Sequence, residues 1–265
     1  MKIITTILVA ILFSVFVNAQ QKVVPILDLK VGGLLGGIEN GKYLDAKTTF
    51  AKLKGEINYS VYGLTGKKDF ELTAKIDAPG DPCDDFYTFD QKQENSTGVA
   101  IGDGNRWDPL PRPLKPISLT DKTYLKVVSD ILRLKGLPKA KAVLEQAVKV
   151  DLDGDGVDEV LLTASLYGGK IQPRADANNY SFVLLRKVVA GKARNIMISE
   201  EYVKKYSEFS VPNRFEISAI ADLNGDKKME IIVYGEYYEG NGSAVYEIKG
   251  NKAVEIKILG AACGV

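Results

Sequence analysis

Histidine is absent from this 265-residue chain. That removes imidazole acid–base chemistry, histidine-containing catalytic triads and His-Glu-x-x-His zinc sites. Cysteine occurs only as Cys83 and Cys263, and two thiolates alone do not make a structural zinc site. In an oxidising compartment the two could pair, or they could stand as separate buried thiols. An excess of either charge is missing too, since 35 basic and 34 acidic residues give a formal net charge of +1. Nothing in that balance points to nucleic acid or an anionic membrane surface as a partner.

Long apolar runs are confined to the beginning. Lys2 precedes a largely apolar stretch from Ile3 to Val17, and Val17-Asn18-Ala19 has the small-residue pattern of a cleavage site before Gln20. Residues 1–19 therefore read as a signal peptide, so the protein is expected to be secreted or periplasmic. The run is short for a span of roughly 20 residues. No membrane insertion is expected after cleavage.

The remainder reads as mainly β, with turns at short intervals and no βαβ rhythm. Val23–Val31 forms an opening strand. The glycines among residues 32–41 read as turns; Gly36 and Gly41-Lys42 have the spacing of a phosphate loop, but Tyr43 stands where that motif needs Ser or Thr. Ile57-Tyr59-Val61 alternates, as do Phe70-Leu72 and Ala74-Ile76. Gln91–Thr97 is a polar loop. Four prolines between Trp107 and Pro116 force an extended segment that cannot be a central strand. One helix is expected after Asp121 or Thr120, with Leu125, Val128, Ile131 and Leu132 on one face and Gly136 and Pro138 as stops. The implied organisation is a β region over 20–106, a Pro-rich linker over 107–120, and a helix with β repeats over 121–265.

The densest chemistry lies in Asp151-Leu152-Asp153-Gly154-Asp155-Gly156-Val157-Asp158-Glu159, five carboxylates in nine residues with no basic residue. Acids at positions 1, 3, 5 and 9 suit a hard cation with oxygen ligands, calcium above all. A second copy, Asp222-Leu223-Asn224-Gly225-Asp226-Lys227-Lys228-Met229-Glu230, begins 71 residues later. The flanks repeat as well: Val160-Leu161-Leu162 mirrors Ile231-Ile232-Val233. A shared loop with shared flanks is an internal repeat. An EF-hand would need Glu at position 12 and flanking helices, whereas Leu162 and Val233 stand there inside β-type runs.

The pattern Asp-x-Asp-Gly-Asp-Gly-x-x-Glu between two strands resembles the calcium loop of FG-GAP/VCBS-type repeats, as in the β-propellers of integrin alpha chains. The resemblance covers residues 147–167 and 218–240. It implies ligands Asp151, Asp153, Asp155, the Val157 carbonyl and Glu159 in the first loop. In the second it implies Asp222, Asn224, Asp226, the Lys228 carbonyl and Glu230. It also implies degenerate blade-like repeats in an incomplete or small propeller or a sandwich-like arrangement. Lys227 replaces the glycine of position 6, and Lys227 with Lys228 cuts the loop's charge, so calcium is expected at the first loop and more weakly at the second. Asp77, Asp81 and Asp85 could be a third, degenerate copy.

Outside these loops no pair of carboxylates stands out for hydrolysis. The leading expectation is a non-catalytic binding or adhesion module with a protein or glycan ligand and structural calcium. The alternative is a secreted carboxylate-dependent hydrolase of polysaccharides. Tyr234, Tyr237, Tyr238 and Tyr246 offer a contact surface or sheet packing. Trp107 could be a contact or a core plug.

Overall fold

The structure, a computed structural model, describes residues 23–90, 97–167, 171–210 and 212–264. The expected signal peptide lies outside the described residues, as do residues 91–96 of the polar loop. Among the described residues the chain is mainly β with two helices, and its antiparallel sheets do not close into a barrel.

The first sheet contains β1 (Val24–Asp28), β2 (Gly33–Glu39) and β3 (Lys42–Leu44), followed after helix α1 (Ala46–Lys52) by β4 (Ile57–Gly63), β5 (Gly66–Ala74), β6 (Ile76–Asp77), β7 (Thr88–Phe89) and β8 (Val99–Gly102). Its order is β5-β4-β8-β1-β2-β7-β6, with β3 against β2. The second sheet begins with β9 (Lys115–Pro116) and, beyond helix α2 (Lys122–Leu134), continues with β10 (Leu144–Val150), β11 (Glu159–Leu166), β12 (Tyr180–Val189) and β13 (Lys192–Tyr202). The third is a meander of β14 (Arg214–Ala221), β15 (Glu230–Tyr237), β16 (Gly240–Lys249) and β17 (Lys252–Gly264). The Pro-rich segment thus supplies only a two-residue edge strand, β9 on β10, as its missing N–H groups require.

Spatial order differs from chain order, because the third sheet lies between the other two. Ile26, Leu35 and Ile101 of the first sheet pack on Ile232, Val245 and Leu259 of the third. The opposite face of the third sheet, with Ile220, Ile231 and Val233, packs on Val148, Leu161, Val183 and Leu185 of the second. Phe50 and Leu53 of α1 and the segment after it lie against the remaining face of the first sheet. Val128, Ile131 and Leu132 of α2 cover the second. Strands with both faces buried have no polar side to alternate with. That is why Val160-Leu161-Leu162 and Ile231-Ile232-Val233 are continuous apolar runs.

Asp121 caps α2 by accepting the Thr123 N–H at 2.8 Å, and Gly136 ends the helix region at φ +88°, as the sequence predicts. Helix α1 is not anticipated; at seven residues it is too short for a periodic signal, and its marker is Asp45, whose carboxylate accepts the Thr48 N–H at 2.6 Å. The reading of the glycines as turns holds at Gly32 and Gly41 but fails for Gly33, Gly36 and Gly37, which lie within buried β2. A Cβ on Gly37 would stand 2.8 Å from the Thr49 methyl of α1, and one on Gly36 would meet Leu44 and Leu259. These glycines serve close approach rather than chain reversal.

Cys83 and Cys263 are bonded, which joins the segment after β6 to β17 across 180 residues of sequence. A closure of that length contributes about 4–5 kcal/mol by chain entropy.

One acid is buried between the first and third sheets. Asp28 at the end of β1 is fully buried and accepts hydrogen bonds from Ser218 Oγ at 2.6 Å, Ser243 Oγ at 2.5 Å and the Lys30 N–H at 2.8 Å. Burial raises its pKa above the usual carboxylate value, and these donors pull it partly back. A carboxyl with a raised folded-state pKa adds stability at low pH that is lost as pH climbs through that pKa. Urea unfolding from pH 4 upward should therefore show a decline that Asp28→Asn flattens. An unchanged profile in the variant would remove this assignment.

Candidate metal-binding loops

Both acidic loops join the first two strands of a meander, β10 to β11 and β14 to β15. Their internal hydrogen bonds match position by position. Asp151 accepts from the N–H of Gly154 at 2.7 Å and of Gly156 at 3.0 Å. Asp222 accepts from Gly225 at 2.7 Å and Lys227 at 2.8 Å. Asp155 and Asp226 each accept the N–H two residues on, from Val157 and Lys228, at 2.8 Å. Glu159 closes its loop on the Leu152 N–H at 2.9 Å, and Glu230 does so on Leu223 at 2.8 Å. Position 6 needs a left-handed backbone. Gly156 supplies it at φ +84°, while Lys227 adopts it at φ +68° despite its side chain.

The loops lie side by side. The Met229 N–H donates to the Leu152 carbonyl at 2.9 Å. The segment expected to be a linker is laid across both. Trp107 Nε1 donates to the Asp222 carbonyl at 2.9 Å, the Asp222 N–H donates to the Pro109 carbonyl at 2.9 Å, and the indole lies on Gly225. Arg112 gives one guanidinium to three carbonyls: Asp151 through Nε, Leu152 through Nη2 at 2.8 Å and Lys227 through Nη2 at 2.6 Å. Lys115 then pairs with Asp158 at 2.8 Å. Such a planar fork is what arginine provides and lysine does not.

Of the expected ligands, Asp151, Asp153 and Glu159 come together, with one oxygen of each within 4.8 Å of the others. Asp155 is turned to its own loop. Among the described residues no second group of three acids converges so closely; Asn224 stands where the first loop has Asp153, and Asp77, Asp81 and Asp85 are not assembled. The environments of the two loops differ further. In the first, Lys187 Nζ reaches Asp153 at 2.7 Å and Glu159 at 2.6 Å. Burial alone would raise Asp153, but the ammonium holds it below the usual range; burial keeps Glu159 above it despite Lys187. In the second, burial pushes Glu230 up to about 8, opposed by the Leu223 N–H and the Tyr43 hydroxyl. Burial also raises Asp222. Oxygen ligands of this number and hardness fit a divalent cation such as calcium.

The remaining candidates separate by burial. Tyr234 is buried, Tyr246 packs against the core between the second and third sheets, and Tyr238 is exposed. Outside the loops, Glu145, Glu216 and Glu236 gather around Arg214 at 3.3–3.6 Å, an ion network on β10, β14 and β15. An open groove of about 750 Å³ follows β15–β17, lined among others by Phe215, Gly235, Gly242, Tyr246 and Glu255. No helix among the described residues is long and apolar enough to cross a membrane. Compared with protein-family models, curated proteins and solved structures, the chain matches none of them.

Arg112, Lys187, Trp107 and Tyr43 were not legible as site residues, since each reaches its loop from a distant part of the sequence. Arg112→Ala should cost about 2–3 kcal/mol in urea unfolding, because it strips charged donors from three carbonyls, with Arg112→Lys recovering only part. Lys227→Gly should add up to about 1 kcal/mol by relieving the left-handed backbone.

Proposed function

We propose that this chain is an exported, non-catalytic β-repeat protein that acts as a binding or adhesion module, with calcium at the acidic loops serving structure rather than reaction. The observation that carries this reading is the adjacency of two matched acidic loops, each ending in a nearly buried glutamate. Such carboxylates are costly to ionise in a protein interior without a compensating positive charge. The local resemblance to FG-GAP/VCBS-type calcium loops supports the same ion.

The cation would have no reacting group beside it. Its oxygens belong to loops that set the spacing between strands, and the surrounding donors are backbone N–H groups, the Lys187 ammonium and, on the loop carbonyls, the Arg112 guanidinium. The disulfide favours an oxidising compartment, in agreement with the signal peptide expected at residues 1–19. A protein or glycan ligand would find its surface in the groove along β15–β17, where aromatic rings and small residues lie together.

Extracellular modules bind calcium at roughly 10⁻⁴–10⁻³ M. At ten times such a Kd, binding stabilises the fold by about 1.4 kcal/mol, or roughly 3–5 °C in Tm for a domain of this size. Thermal melts in millimolar calcium and in EGTA should differ by that amount. Identical curves, with no calcium retained on dialysis, would end the reading.

A further inference from the structure

The second sheet ends in an open edge. Its last strand, β13, is 11 residues long and, among the described residues, pairs with β12 alone. The outward N–H and C=O groups of such a strand are a template for another. The charges of β13 are sorted along its length. Lys192 and Arg194 stand at one end and Glu200 and Glu201 at the other, with Ile196, Met197 and Ile198 between them. A strand of this kind is complementary to itself run in the opposite direction.

Side-chain direction narrows the register. Arg194 stands opposite Lys187, Ile196 opposite Leu185, Ser199 opposite Val183 and Glu201 opposite Ser181. Those β12 residues are spaced by two, so all these side chains lie on one face, the face that packs on the third sheet at Ile196. Residues seven apart on a regular strand point to opposite faces. The bulge at Ile198, between the Val183 and Leu184 pairings, cancels that offset and brings Arg194 and Glu201 to the same side. Among the described residues neither has an ion partner. The residue opposite Arg194 is Lys187, whose ammonium is engaged by Asp153 and Glu159. Glu200 is taken by Lys135 of the α2 end, whereas Glu201 accepts the Asn213 amide at 3.2 Å. The other long edge, β17, lacks these features. Its residues 256–259 stand opposite Val245 alone, and its Lys252, Glu255 and Lys257 alternate in sign.

We propose that this chain self-associates through β13. A second copy adds antiparallel about a two-fold axis, so that Arg194 of each copy faces Glu201 of the other. In this register Asn195 lies opposite Glu200, Ile196 opposite Ser199, and Met197 opposite Ile198 next to the axis. Each contact occurs twice, as an isologous interface requires, and the two five-stranded sheets become one continuous sheet. The inference is independent of the calcium reading, since no loop carboxylate takes part.

The test is sedimentation equilibrium of the purified, disulfide-bonded chain over about a hundredfold range of concentration, in low and in high salt, with Arg194→Glu, Glu201→Arg and the double exchange alongside. The unmodified chain should form a dimer that salt weakens. Each single reversal sets like charges opposite one another twice and should weaken association by about tenfold or more. The double exchange should restore it. A chain that is monomeric throughout, single reversals without effect, or a double exchange no better than the singles would each overturn the proposal. Hydrogen exchange on the unmodified chain covers the case in which a reversal merely unfolds it. The amides of residues 194–201 should gain protection as concentration rises, while those of residues 252–262 do not. Exchange in β13 that ignores concentration would refute the interface.

Discussion

The burial of Glu159 and Glu230 is the constraint on which the rest of the architecture turns. Each begins the second strand of a meander, and each carboxylate closes its loop on the N–H seven residues earlier. The loop ends are therefore tied by groups that lie inside the protein, next to strands packed on both faces. Desolvation of two acids at this depth must be offset by donors and positive charge. Backbone N–H groups do part of this in both loops, and Lys187 does more in the first. The strap from Trp107 to Lys115 meets the complementary need, since its indole and guanidinium supply donors to carbonyls that the tight turns leave without ladder partners.

What could be read in advance was local. The continuous apolar strands, the capped helix α2 and the matched pair of acidic loops each have a signal within about ten residues of sequence, set by the period of the element or by ligand spacing. What could not be read was whatever arrives from elsewhere in the chain. Lys187 lies 28 residues beyond Glu159, at a strand position whose meaning depends on register. Tyr43, conspicuous only as a mismatch to a phosphate loop, lies near enough to Glu230 for its hydroxyl to oppose the rise in that carboxyl's pKa. Gly36 and Gly37 were misread because a glycine kept for close approach and one kept for a turn look alike until the neighbour is known.

The placement of the third sheet between the other two has a similar origin. Nothing in the order of elements announces it. Its strands nonetheless have the composition of an interior layer: Ile217, Ile220, Ile231 and Val233 face one neighbour while Ala219, Ile232 and Val245 face the other. A repeat that is central in space and follows the others in sequence makes the first and second sheets depend on residues that are synthesised after them. Long-range pairing of this kind slows folding relative to local structure.

The bond between Cys83 and Cys263 bears on mechanics. Both acidic loops, the strap and the whole second sheet lie on the chain between these two residues. A pulling force that reaches Cys83 from upstream is handed directly to Cys263 and bypasses everything enclosed. The strands before Cys83 can be drawn out while the covalent circle behind it stays slack. The two acidic loops therefore sit in a part of the molecule that such a force leaves unloaded.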